Sequence, residues 1–184
     1  GTPTGGGLLE TTTRNGNITI WAMGNVRIEG SAGSIQTDQN GETLADTNFI
    51  SVTSDPGDVT VTGRVYAHGQ ASITGTDIHV LNEGVIQLHQ QPNEDAPKLT
   101  ITAAGEFLVD ESATTQYRAL VESDGTIEVI AQNVIIEGHL RTDKKGTSIH
   151  VVSGDDVSVT GNIFAGTDIL ILVTLWKPLG PLQF

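Results

Sequence analysis

Apolar side chains recur at every second position in short runs along most of the chain, and a period of two marks a strand with one buried face. Four runs align on one template. Ile18-Thr19-Ile20 leads to Val26-Arg27-Ile28-Glu29-Gly30, and Ile50-Ser51-Val52 leads to Val59-Thr60-Val61-Thr62-Gly63-Arg64-Val65. Ile127-Glu128-Val129 leads to Val134-Ile135-Ile136-Glu137-Gly138-His139-Leu140, and Ile149-His150-Val151 leads to Val157-Ser158-Val159-Thr160-Gly161-Asn162-Ile163. The shared form is apolar-x-apolar, a short linker, then apolar-x-apolar-x-Gly. Weaker copies lie at 73–88, 99–109 and 169–173.

Two such short strands cannot bury an apolar face alone. Stacked on the next unit, about 4.8 Å away, they find hydrogen-bond partners and build a continuous apolar column. Glycine between strands suits a tight bend. The last two strong copies are 23 residues apart (Val134 to Val157) and the first two 33 apart (Val26 to Val59). The extra length carries Asp38-Gln39-Asn40-Gly41-Glu42, which reads as a loop leaving the stack, as does the segment 90–97 with its two prolines. The fold class expected is all-β, a right-handed parallel β-helix (β-solenoid) of about seven to eight short coils, roughly 35 Å long. A β-sandwich is the alternative. Residues 1–14 read as a Gly-rich arm, 15–173 as the repeat domain and 174–184 as an apolar cap or assembly tail.

The phrases at 16–38, 57–67 and 125–142 resemble the repeats of filamentous-haemagglutinin-type secreted exoproteins, which read G-N-I-T-I-x-A and then x-V-x-I-x-G-x-I-x-T. The resemblance implies an extracellular, non-enzymatic protein concerned with adhesion or surface structure. Bactofilin-type β-helices are a second, weaker resemblance and imply a polymerising intracellular protein.

An open stack leaves unpaired strand edges, which template further pairing unless capped. No amphipathic helix is legible near either terminus. Instead Ile169, Ile171, Leu172, Val173, Leu175 and Trp176 form a nearly unbroken apolar run, with Leu179, Leu182 and Phe184 behind it. A strand apolar on both faces is usually covered on both. One reading folds this tail back as a cap. The other docks it on a second copy, with Leu8 and Leu9 as the complementary part, so that head-to-tail contact builds a filament.

Composition supports the strand reading and narrows the chemistry. Thr, Val and Ile make up 57 of 184 residues, which disfavours long helices. The net charge of −13 argues against nucleic acid and anionic membrane surfaces. Without cysteine there are no disulfides or thiolate metal sites. The longest apolar run is far short of the roughly 20 residues of a membrane helix, so no membrane insertion is expected. Asp38, Asn40 and Glu42 offer oxygens at alternate positions, as calcium loops do, but lack the EF-hand spacing, so a plain turn competes with a calcium site. No other cofactor is expected. None of the five histidines has a zinc-site spacing.

No nucleophile elbow, P-loop or dinucleotide fingerprint occurs, so no enzyme is expected. A β-helical polysaccharide-active enzyme is a distant third reading. The first is an extracellular structural subunit that self-assembles head to tail into a filament or layer. The second is an adhesin module that binds a host or cell-surface glycan or protein. An ice-binding face is disfavoured, because outward threonines are mixed with Arg27, Glu128, Glu137 and His150.

Overall fold

The structure, a computed structural model, describes residues 8–11, 17–29, 34–37, 48–90, 96–111 and 119–174. In chain order the strands begin β1 (Leu8–Thr11), β2 (Ile18–Ala22), β3 (Val26–Ile28), β4 (Ser34–Thr37), β5 (Asn48–Ser54), β6 (Val59–Val61) and β7 (Arg64–Gly75). Then come β8 (Ile78–Val80), β9 (Val85–His89), β10 (Lys98–Ala103), β11 (Glu106–Val109), β12 (Leu120–Ser123) and β13 (Thr126–Ala131). The last are β14 (Asn133–Ile136), β15 (His139–Thr142), β16 (Ser148–Ser153), β17 (Val157–Val159), β18 (Asn162–Phe164) and β19 (Asp168–Val173).

Every pairing between these strands is parallel. Template residues stand beside their own equivalents: Ile127 on Ile149, Val134 on Val157, Leu140 on Ile163. Strands recur in threes, as in β13-β14-β15 followed by β16-β17-β18. The apolar residue two places after the template glycine lies within the third strand, as Ile163 does at the centre of β18.

The expected right-handed β-helix of seven to eight short coils is corrected. The strands form two parallel sheets, one of thirteen strands and one of six. In the larger, a nine-strand path β18-β15-β12-β9-β7-β10-β13-β16-β19 makes a nearly closed, barrel-like wall. The reason lies in β7, whose alternation runs unbroken for 12 residues. Its first part pairs with β4 and β9, its second with β5 and β10. Gly69, at φ 119° between the two parts, takes a backbone angle that a side chain would disfavour. One strand thereby joins faces that short separate coils would keep apart. The β-sandwich alternative fails too, because such sandwiches are antiparallel.

Both sheets contribute to one buried cluster that includes Ile50, Ile73, Ile101, Phe107, Ile127, Ile136, Leu140 and Ile149. Burying each such side chain is worth roughly 1.5–3 kcal/mol. Buried hydroxyls join neighbouring levels where strands end. Ser153 Oγ donates to the Gln132 carbonyl at 2.8 Å, and Ser54 Oγ to that of Gly24 at 2.6 Å. The template glycine is required by close stacking, since a Cβ on Gly161 would collide with the backbone carbonyls of Gly138 and Glu137. Among the described residues no helix is long and apolar enough to cross a membrane.

Candidate functional site

The strand order leaves β17 at one margin of the six-stranded sheet and β18 and β19 at margins of the larger sheet. The residues of these three strands would be inward or outward by simple alternation, as in β16, whose Ile149 and Val151 are buried. In β19 the alternation no longer hides anything, because Ile169, Leu170, Ile171, Leu172 and Val173 are all 41–54% exposed. Val159 of β17 and Phe164 of β18 are exposed beside them. The opposite margin differs: Ile18 of β2 and Val26 and Ile28 of β3 are buried.

β19 continues the ladder of β16 in full register from Asp168 on Ser148 to Val173 on Ser153. The Thr174 N–H then donates to the Ser153 carbonyl at 2.8 Å. Among the described residues no strand pairs with the other edge of β19, which keeps a row of backbone donors and acceptors beside five apolar side chains. Ile169, Ile171, Leu172 and Val173, expected from the sequence as interface residues, all lie on this edge. Leu170, Val159 and Phe164 join them and were not expected. Leu170 was legible within the apolar run, whereas Val159 occupies a position that is buried as Ile136 in the preceding copy, and Phe164 an outward one that is Arg141 there. Leu8 and Leu9 lie on β1, paired with Ser34 and Ile35 of β4. Leu175, Trp176, Leu179, Leu182 and Phe184 lie outside the described residues, as do Asp38, Asn40 and Glu42. Among the described residues no cluster of three or more His, Asp or Glu side chains is placed to hold a metal ion.

A second polar feature covers the outer face of β7, β9, β12 and β15. Tyr66 meets His68 edge to face with centroids 5.1 Å apart, and His89 at 5.2 Å. His89 Nδ1 lies 3.3 Å from Asp124 Oδ2, which also accepts from the Gln90 N–H at 3.0 Å and Lys144 Nζ at 3.1 Å. Burial alone would raise the Asp124 pKa, but the Gln90 N–H, the Lys144 ammonium and His89 together outweigh it and hold the carboxyl below its ordinary value. Two residues before Asp124, Glu122 accepts from Gln87 Nε2 at 2.7 Å and pairs with Arg141 Nε at 3.2 Å. Arg141 also pairs with Asp143, and this raises the guanidinium's pKa further. Parallel register brings these residues together, and the sequence gives no cue to it because they are up to 78 positions apart (Tyr66 to Lys144). The His89–Asp124 contact ties the end of β9 to the turn that follows β12. His79 of β8 is half-buried, with its Nε2 3.2 Å from Glu106 Oε1.

The chain matches no protein-family model, no curated protein and no solved structure.

Proposed function

We propose that this chain is a non-enzymatic structural subunit that associates with further copies through the β17–β18–β19 margin, building an extracellular filament or layer. The observation that carries this reading is β19, which among the described residues is paired along one edge only and exposes apolar side chains on both faces. An unpaired edge attracts another strand, and exposed apolar side chains beside it add a hydrophobic gain. The margin formed by β2 and β3 is the matching partner. Ile18 and Ile20 of β2 stand in the template where Ile169 and Ile171 stand in β19. A second copy that laid β2 on β19 would repeat the parallel pairing that β2 makes with β5. Contact between unlike margins propagates unless it closes into a ring. The extracellular setting rests on the haemagglutinin-type resemblance of the repeats.

Sedimentation and negative-stain microscopy of the whole chain test the proposal. Fibres or a concentration-dependent series of oligomers are expected, and Leu170→Arg with Leu172→Arg should abolish them. A monomer at every concentration would overturn the reading.

A further inference from the structure

A groove of about 300 Å³ crosses the outer face of β5, β7 and β10, away from the β17–β18–β19 margin. Its floor is a row of threonines in direct register, Thr53 on Thr74 on Thr102. Asp55 and Thr76 close one side. Among the described residues none of the three floor hydroxyls is engaged in a hydrogen bond to a side chain or to the backbone. The same register line continues to an apolar residue at each end. Trp21 of β2 pairs with Thr53 and is 63% exposed, and Ile130 of β13 pairs with Thr102 and is 41% exposed. Five adjacent strands thus present Trp, three Thr and Ile along a line of about 19 Å, taking about 4.8 Å per strand.

We propose that this groove binds a neutral oligosaccharide. A sugar ring has an apolar C–H face, which stacks on an exposed indole, and a rim of hydroxyls, which both donate and accept hydrogen bonds. Trp21 supplies the platform. Thr53, Thr74 and Thr102 supply hydroxyls of the same dual capacity, and the Asp55 carboxylate accepts from sugar hydroxyls. Among the described residues no Lys, Arg or His lines the groove, and the chain carries −13, so an acidic polysaccharide would be repelled. Ordered water alone is a poorer occupant, because Trp21 stands proud at one end and Glu128 interrupts the neighbouring row that begins Ser51, Ser72, Thr100.

The test is calorimetric titration of the whole chain with β-1,4-linked hexasaccharides of glucose and of N-acetylglucosamine, and with a hexagalacturonate. At least one neutral hexasaccharide should bind, and the uronate should not. Trp21→Ala should weaken binding by about tenfold or more, and Thr74→Val by several-fold. Both side chains point outward, so thermal melts of the two variants should match the parent and separate lost binding from lost folding. No heat with either neutral sugar at about 10 mM, or binding that both variants leave unchanged, would overturn the proposal. So would tighter binding of the uronate, or ice-growth inhibition without sugar binding.

Discussion

Ile149 and Ile169 stand side by side in the β16–β19 ladder, yet the first is 0% exposed and the second 47%. Identical side chains in register thus occupy opposite environments, and the difference is one further layer of strand. Ile149→Ala should cost about 3 kcal/mol of folding stability, as for a buried aliphatic truncated to a cavity. Ile169→Ala should cost less than about 1 kcal/mol in dilute solution, since little burial is lost. Urea denaturation at low protein concentration measures both. At high concentration the parent should gain stability by mass action and the Ile169 variant should gain less. Equal costs at low concentration would mean that β19 is already covered in the single chain.

Asp124 makes a pH prediction with a definite sign. Its folded pKa lies below the unfolded value of about 3.9, so its contribution is complete above that value. The contribution disappears as pH falls through the lower folded pKa. The stability difference between the parent and Asp124→Asn should therefore be level from neutral pH down to about 4 and shrink below it. Paired denaturant melts across this range read the difference directly. A gap that widened toward acid would contradict the assigned hydrogen bonds.

Gly161→Ala tests the close approach of neighbouring levels. The atoms a new Cβ would meet are backbone carbonyls of Glu137 and Gly138, which cannot swing aside as a side chain would. A loss of about 2 kcal/mol is expected, within the range for overpacking. Gly154→Ala is the control, because there the nearest atoms belong to the flexible Gln132 side chain, and its cost should be smaller. Thermal or urea melts of the two variants rank them.

Ser153→Ala removes one hydroxyl that meets the carbonyls of Gln132 and Asp156, each at 2.8 Å. Both carbonyls keep a backbone donor, the Asp155 N–H on Gln132 at 2.8 Å and the Val134 N–H on Asp156 at 2.9 Å, so the loss should be about 0.5–1.5 kcal/mol, the net worth of one hydrogen bond. Faster amide exchange at Asp155, whose N–H lies 3.4 Å from the same hydroxyl, should accompany the loss. Unchanged exchange there would show that the corner is held by the Asp155 N–H to Gln132 carbonyl bond instead, at 2.8 Å.

Alternation along Ile127-Glu128-Val129 and Ile149-His150-Val151 is a local property, so strand identity, inward faces and the equivalence of template residues were all readable from the chain. The unbroken apolar run at 169–173 likewise announced a strand, but left open whether the chain's own tail or a second copy covers it. The joining of two faces through β7 was not readable, because its cause is Gly69 bending within a strand where the template put a break between strands. Nor was the Trp21–Thr53–Thr74–Thr102–Ile130 line, or the Asp124 cluster. Their members are separated by tens of residues and meet only through register between parallel strands. Period-two patterning determines which face each side chain takes, while the lengths of the connections decide which side chains become neighbours on it.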